Sequence, residues 1–563
     1  MTDTQKTYFI CPAPPCPNGK LHLGHIAGVY LLADIYARFQ RLAGHRAFYV
    51  TGSDEHGTYT LVKAQKLQRP VDDVAQMHNR EILACLGALG IEPDEFVRTT
   101  SADHVENSLA IYQTLKDNGF ISVKDGVQLY CETCAEFAAD SLASGLCPDC
   151  SAPTDSNLCE NCGLAVPHAR LKQPRHAPCS GPLSLRPIRQ AHLDIEKLAP
   201  TLQQAIVDSQ WPEPIKHLEL SWLRESLRSL PMSRHFDRGV VLGDPEDVAG
   251  QTLLTWFEGL WCFDTGIRRL CAREASDYQQ VLASPDSRVV FFMGQDNRFY
   301  YTVGVTASLL GRGFAAPFNQ SIQDFSTLEG SKFSTSRDHV IWADEVAKVV
   351  DQNVLRLYLA SIAKPFGNQD NEFELEGLMA AAQQLHDWEA RLRAHARQAR
   401  QVVNEPLPAR LAEQVERYTR AMDGLAFWDA LQAIEDFLDN ADITDTAPQW
   451  QVTQVSALLG MLAPFIPQWT QRYAALYFGA DWAAAAVSAR MAVTAGLLPD
   501  DRCASARHLH SRVQATFPRR HHRLRPRRSP CTRYAVSAPA ALVPSITHRP
   551  NRPSTLPSGC PIR

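Results

Sequence analysis

Two histidines flank a glycine in Pro17-Asn18-Gly19-Lys20-Leu21-His22-Leu23-Gly24-His25. The segment follows a short apolar run and opens a helical pattern, so it lies at a helix N-terminus. Unbonded N–H groups and the positive end of the helix dipole make that position an anion site. Histidines there can donate hydrogen bonds to phosphate oxygens, and Gly24 lets a ligand approach the backbone closely. A second segment, Gly330-Ser331-Lys332-Phe333-Ser334-Thr335-Ser336-Arg337, is polar and carries a lysine and an arginine able to meet phosphate charge. Each has a plainer reading when taken alone: a chance histidine pair beside a cap, and an ordinary surface loop.

A third group of residues has metal-ligand spacing. Seven cysteines fall between Cys131 and Cys179, in the pairs Cys131-x-x-Cys134, Cys147-x-x-Cys150 and Cys159-x-x-Cys162, followed by His176-Ala-Pro-Cys179. A Cys-x-x-Cys turn offers two thiolates to one tetrahedral ion, and two such turns complete a structural site. Cys147, Cys150, Cys159 and Cys162 suit one Zn²⁺. Cys131, Cys134, His176 and Cys179 form a Cys₃His set around it, suited to a second; the alternative is a degenerate knuckle in which Cys131 and Cys134 stay free thiols. In a reducing compartment, clustered pairs read as metal ligands, not disulfides.

The elements that must hold these residues are legible in outline. Thr7–Cys11 reads as a strand running into a proline-rich loop, and Ile26, Val29, Ala33 and Tyr36 recur at helical spacing up to Gly44. Ala47–Val50 reads as the next strand, ending in Gly52-Ser53-Asp54-Glu55-His56-Gly57. Strand, helix, strand is a βαβ unit, which places ligands at the C-terminal ends of parallel strands. Helices are predicted over 72–89 and 104–116. Val289–Met293 predicts a buried strand, with a helix from there to Gly311. Residues 371–490, rich in Ala, Leu and Gln, predict a helical bundle. The fold class expected is therefore α/β: a Rossmann-type, doubly wound parallel sheet split by a zinc-knuckle insertion and followed by an α-helical bundle domain.

In this order, and 310 residues apart from His22 to Lys332, the two polar motifs resemble the HIGH and KMSKS signatures of class I aminoacyl-tRNA synthetases. Within that class the chain is most similar to the methionyl-tRNA synthetases. It shares their proline-rich loop with Asn18-Gly19, the Gly-x-Asp-Glu-His-Gly stretch at 52–57, a multi-cysteine insertion, and a Trp256 segment followed by Gly294-x-Asp296. The resemblance covers about residues 5–480. It implies ATP contacts from His22, Gly24, His25, Lys332, Ser334, Ser336 and Arg337, with His22, His25 and Lys332 catalytic. It also implies an amino-acid site: Asp54 holds the substrate amino group, Arg234 lies near the carboxylate and phosphates, Trp256 walls the side-chain pocket, and Asp296 is an active-site acid. Pro14, Cys16, Asn297 and Tyr301 complete that pocket. The implied activity is ATP-dependent formation of methionyl-adenylate and transfer to tRNA, with Mg²⁺ on ATP and one or two structural Zn²⁺. The knuckle would help place the acceptor end of tRNA.

The pattern also departs from that family. Thr335 replaces the second lysine of the loop, and Gln295 replaces a lysine. In the pocket, Cys16 stands for a tyrosine, Pro14 for a leucine, Gly259-Leu260 for Ala-Pro and Phe263 for a tyrosine; Asn297 and Tyr301 stand for an isoleucine and a histidine. A hydrophobic pocket discriminates by only a few kcal/mol per group, so these changes open a second reading, a paralogue that activates another amino acid or acylates another acceptor. A catalytically silent RNA-binding protein is a third, against which the intact His22, His25, Asp54 and Lys332 argue. In the helical region residues 378–385 lack the Asn-containing pattern of the family's first anticodon-domain helix, whereas the later Ala463-Pro464-Phe465-Ile466-Pro467 segment matches the family. Trp450 is a candidate for base stacking or a core residue.

Six segments follow: 1–115, the first catalytic half; 116–230, the knuckle insertion; 231–320, the second half; 321–370, the KFSTS loop and stem-contact region; 371–500, an anticodon-binding-like helical domain; and 501–563, a tail. Of 563 residues 45% are hydrophobic and 21% charged, an ordinary globular composition that excludes fibrous or wholly disordered classes. No apolar run reaches the ~18–20 residues of a membrane span, and Met1–Lys6 has no apolar leader, so a cytoplasmic, membrane-free protein is expected. The net charge of −5 hides a split: residues 1–501 carry −18, and residues 502–563 carry 13 Arg, nine Pro and no Lys, Asp or Glu. That tail reads as an RNA tether, or as disordered or misread sequence.

Overall fold

A computed structural model describes residues 5–155, 159, 166, 168–225, 228–243, 248, 250–333, 339–364, 366–367, 371–396, 407–440 and 452–478. Cys162, Ser334, Ser336, Arg337, Trp450 and the tail lie outside the described residues. Strands β1 (Thr7–Pro12), β2 (Arg46–Ser53) and β3 (Glu95–Arg98) precede the insertion. Its strands are β4 (Ile121–Cys131), β5 (Glu136–Ala138), β6 (Ala143–Leu146), β7 (Pro153–Asp155), β8 (Lys172–His176) and β9 (Leu183–Leu193). Short strands β10 (Leu230–Pro231), β11 (Ser233–Arg234) and β12 (Thr252–Leu253) lead to β13 (Ser287–Gly294) and β14 (Asn319–Gln323). After these come β15 (Thr327–Leu328), β16 (Ser331–Lys332) and β17 (Glu372–Phe373).

The central sheet runs β14-β13-β1-β2-β3 with every pairing parallel. This is a doubly wound order whose switch point lies between β1 and β13, and ligands bind outside the strand C-termini there. A parallel sheet is covered on both faces, so a strand at its centre runs continuously apolar. β13 shows this: Val290 and Phe292 pack into one core while Val289, Phe291 and Met293 pack into the other. The first core joins helix Leu31–Leu42 to helix Gln352–Ile362 and to the bundle helices Leu375–Ala396, Ala409–Asp423, Phe427–Asn440, Val452–Leu462 and Pro467–Phe478. The second is closed by helices Ala102–Asp117, Ile195–Asp208 and Cys262–Arg273. The fold class is thus the α/β sheet with an insertion and a helical bundle.

The insertion is a separate lever. β4 and β9 pair antiparallel from Ile121↔Leu193 to Cys131↔Leu183, and between them the chain forms the small sheet β7-β6-β8, with Cys131 at the end of β4 and the other cysteines between or beyond the small sheet's strands. Its own apolar cluster is small and counts Cys131, Cys147 and Cys159 among its members. One buried side chain ties the bundle to the catalytic sheet. Arg356 donates to Asp34 Oδ2 at 2.7 Å, to the carbonyls of Leu89 at 2.9 Å and Phe465 at 2.7 Å, and to that of Pro464 at 2.9 Å. Among the described residues no helix is long and apolar enough to cross a membrane.

Candidate active site

A cavity of about 560 Å³ opens at the switch point. One side is the loop after β1, from Ala13 to Gly24. The opposite side holds Gly294, Asp296 and Asn297 after β13. Asp54 and Gly57, beyond β2, close one end together with Trp256, Gly259 and Leu260, while Phe333 and the segment Gln323–Ser326 line the other. The insertion contributes Asp140 and Pro153–Asp155, and Tyr59 on the wall donates its hydroxyl to Asp155.

His22 and His25 cap their own helix reciprocally. His22 Nδ1 accepts from the His25 backbone N–H at 3.2 Å, and His25 Nδ1 accepts from the His22 backbone N–H at 3.3 Å. An acceptor Nδ1 on a neutral imidazole fixes the proton on Nε2, so both rings present an N–H donor on the edge away from the backbone. The rings stack 3.6 Å apart at 16°, and Phe333 stacks on His22 at 5.3 Å and 18°. Gly24 is required by this column: a Cβ there would sit 3.1 Å from Phe333 and 3.2 Å from His22 Nδ1. The chain beyond the loop also returns to the first motif. Leu23 N–H donates to Ile341 O at 2.9 Å, Ala343 N–H donates to Leu21 O at 3.1 Å, and Lys20 Nζ reaches Asp344 at 2.9 Å. Lys332 ends β16, which pairs with β15. The two motifs, distant in sequence, are thus adjacent through Phe333 and the backbone.

Asp54 is half-buried, and its Oδ1 has no hydrogen-bond partner among the described residues. Burial and the charge of Glu258 push its carboxyl up to about 7, against the opposing pull of His56 and Arg234. Gly57 keeps that carboxylate accessible, since a Cβ there would lie 3.0 Å from Oδ2. Such a group is prepared for a cation. Cys16 lies beside it, its Sγ 3.2 Å from Thr60 Oγ1; burial and Asp54 raise the thiol well above its usual range, so it is not nucleophilic.

Pro14, Cys16, Asp54, Trp256, Asp296 and Asn297 all line the cavity, as do His22, Gly24 and His25. Trp256 stacks on Tyr300 at 4.6 Å, and its indole Nε1 has no partner among the described residues. Two expected pocket residues are not on the wall. Tyr301 is buried against Phe291, 4.9 Å between rings. Arg234 is 1% exposed and pairs with Asp140 at 2.5 Å, with Nε and Nη2 left without partners among the described residues. Its charge reaches the cavity through Asp140, whose backbone is held at φ 45°, a left-handed conformation that aspartate tolerates better than most residues.

Sequence reading missed the polar layer behind this wall. His56 Nδ1 lies 3.0 Å from Glu258 Oε1, and His104 Nε2 lies 3.3 Å from Glu258 Oε2, all buried. Glu258 sits two residues from Trp256, the one local signal; His104 comes from a different helix, with no motif to mark it. Asp140 likewise carries no sequence signature.

The cysteine sets come together in space. The ligand atoms of Cys131, Cys134, His176 and Cys179 lie within 4.8 Å of one another, as do those of Cys147, Cys150 and Cys159. Cys131 and Cys179 are 3.5 Å apart at sulfur, Cys150 and Cys159 are 3.5 Å apart, and His176 Nδ1 is 3.2 Å from Cys179 Sγ. Ligands about 2.3 Å from a tetrahedral Zn²⁺ lie roughly 3.7 Å from one another, so the outer set fits that ion, and the three described residues of the inner set have the spacing of three of its four ligands. Glu136 Oε1 stands 3.3 Å from His176 Nε2, the carboxylate that commonly fixes the second nitrogen of a ligating imidazole.

The family described as tRNA synthetases class I (M) matches residues 8–387. The methionine–tRNA ligase of Roseiflexus castenholzii is 32% identical over 371 residues, which are 63% of this chain and 62% of that protein. That of Thermomicrobium roseum is 31% identical over 380 residues, 66% and 65% respectively. The chain therefore spans a little under two thirds of their length. A crystal structure of Mycobacterium tuberculosis methionyl-tRNA synthetase bound by methionyl-adenylate has the same fold, with a TM-score of 0.64 at 18% identity, over 84% of this chain and 96% of that one.

Proposed function

Because the chain belongs to the family of class I tRNA synthetases (M), we propose that it is a cytoplasmic methionine–tRNA ligase. It would activate methionine with ATP to methionyl-adenylate and transfer the acyl group to tRNA. The observation that carries this reading is one cavity lined both by two N–H-presenting histidines and by an aspartate whose Oδ1 has no hydrogen-bond partner among the described residues. One end suits a polyphosphate and the other an ammonium, with the carboxylate of the amino acid held between.

In the first step a carboxylate oxygen attacks the α-phosphorus and pyrophosphate leaves. His22 and His25 donate from Nε2 to oxygens whose charge grows in the transition state, and Lys332 with the loop Ser334, Ser336 and Arg337 completes the cradle. Such preorganised donors act by position and electrostatics. Mg²⁺ on ATP would neutralise phosphate charge. In the second step a ribose hydroxyl of the terminal adenosine attacks the acyl carbonyl, and AMP leaves. Asp54 holds the ammonium through both steps; Trp256, Leu260, Pro14, Cys16 and Asn297 enclose the side chain. The division into catalytic halves, insertion, stem-contact region and anticodon-binding-like bundle belongs to the same proposal.

ATP–pyrophosphate exchange by the purified full chain, run with each amino acid in turn, tests it. Exchange with methionine is expected. Exchange with another amino acid alone would favour the paralogue, for which the presence of Cys16 and Asn297 on the cavity wall speaks. No exchange with any amino acid refutes both.

Zinc would supply folding energy to an insertion with little apolar core of its own. Metal analysis is expected to give two Zn²⁺ per chain. Chelation should make the segment 131–179 at least tenfold more sensitive to protease while leaving the bundle helices folded by circular dichroism. One zinc per chain would leave Cys131 and Cys134 as thiols.

A further inference from the structure

The layer behind Asp54 is built as a connected chain. Asn107 Nδ2 donates to Thr265 Oγ1 at 3.0 Å, and that hydroxyl lies 2.9 Å from His104 Nδ1. His104 Nε2 lies 3.3 Å from Glu258 Oε2 and 3.2 Å from Ser108 Oγ. Glu258 has a second oxygen, and that one takes His56 Nδ1–H. Of the two rings on Glu258, His56 makes the shorter contact, 3.0 Å against 3.3 Å, and it is the one two residues from Asp54.

The surroundings favour that assignment. Burial alone would strip His56 of its proton, but Glu258 and Asp54 both face it and together hold its acidity below the usual imidazole value, against the opposing charge of Arg238. Asp54 in turn is faced by Glu258 and Asp140 on the negative side and by His56 and Arg234 on the positive. The nearby thiols of Cys16 and Cys262 stay protonated. Of the two cations facing Asp54, Arg234 is committed to Asp140, so His56 is the charge that offsets Glu258.

We propose that His56, paired with the buried Glu258, is a positioning residue that offsets the Glu258 charge beside Asp54 and so favours the ionised form that takes the substrate ammonium. The inference rests on the ligase reading above. It extends that reading to residues that touch no substrate: His56 does not line the cavity, whereas Asp54 does.

The sign of the effect is fixed. Removing the imidazolium leaves Glu258 unopposed beside Asp54, so Asp54 ionises at higher pH. In amino-acid-dependent pyrophosphate exchange by the full chain, the acid limb of kcat/KM for the amino acid should move up by about one pH unit in His56→Asn. KM for the amino acid near pH 7 should rise several-fold, with kcat and KM for ATP little changed and the difference vanishing near pH 9. His104→Asn, which removes the contact to the other Glu258 oxygen, should lose thermal stability and move the limb less than His56→Asn does. Should His56→Asn not fold, His56→Gln keeps a longer neutral amide against Glu258 and carries the same expectation. An unmoved limb in a folded, active His56 variant overturns the inference and leaves the ligase reading standing. So does a limb that moves equally in the His104 variant. Absence of exchange in the parent chain overturns both.

Discussion

Asp54→Asn is expected to lower kcat/KM for the amino acid about a hundredfold, with little change in KM for ATP. The carboxylate is half-buried and one of its oxygens has no protein partner among the described residues, so that oxygen is left for a cation the ligand brings. Truncating one member of a buried ion pair costs about 2–5 kcal/mol, because the other charge stays desolvated, and each ~1.4 kcal/mol is a factor of ten. The pH dependence gives an independent check. With its carboxyl held up to about 7 in the empty cavity, Asp54 is largely neutral below that pH, and kcat/KM should rise up to tenfold per unit through it. In Asp54→Asn that limb should disappear. Stability should move the other way. A carboxyl whose folded value exceeds its unfolded one binds more protons in the native state, so its contribution to stability falls as pH rises from about 4 to 7. The variant should therefore melt higher than the parent at pH 8. Equal activity would exclude Asp54 as the group that binds the ammonium; a lower melting temperature at pH 8 would show that its carboxyl is not held up in the folded state.

Arg356→Met should cost about 3–5 kcal/mol of stability, the range for removing one partner of a buried pair. The guanidinium is fully buried, and its four hydrogen bonds join three parts of the chain: helix Leu31–Leu42 through Asp34, the end of helix Val71–Ala88 through Leu89, and the turn before helix Pro467–Phe478 through Pro464 and Phe465. Methionine fills much of the volume but leaves three carbonyls without donors. Asp34 retains Arg38, 2.8 Å away, which places the loss toward the lower end. Urea unfolding followed by circular dichroism measures it. A midpoint unchanged within error would show that the bundle is held by its apolar contacts alone.

The parts of this fold that the sequence made legible are those with apolar runs or short motifs. The strands at 7–11, 47–50 and 289–293, the helices at 72–89 and 104–116, and the loops bearing His22, Asp54 and Asp296 were readable from local pattern. β14, Asn319-Gln-Ser-Ile-Gln323, was not: all five residues are buried although four are polar, because an edge position in a covered sheet buries side chains that hydropathy assigns to solvent. β3 was missed for its four residues, Glu-Phe-Val-Arg, too few to show a period. In the site, Asp54 was legible because its loop carries a motif. The His56–Glu258–His104 chain and the Arg234–Asp140 pair were not, because each joins residues 94 or more positions apart by charge complementarity, which leaves no local trace. Arg234, expected near the carboxylate and phosphates, and Tyr301, expected in the side-chain pocket, lie behind the cavity lining, one on Asp140 and the other on Phe291.

The helices leaving the switch point share one irregularity. Residues Ile26–Tyr30 after the first motif and Tyr300–Val305 after Asp296 each form a wide turn, in which Leu31 N–H reaches back to Ile26 O and Thr306 N–H to Tyr301 O. A wide turn accommodates one residue more than an α-turn, so it acts as a phase shifter: the face a helix shows the sheet and the face it shows the cavity are out of step by about 100° of rotation. Core packing downstream and ligand geometry upstream can then drift independently in evolution. Chain length in these turns, as much as the identity of any side chain, is a variable by which such a site can be re-aimed.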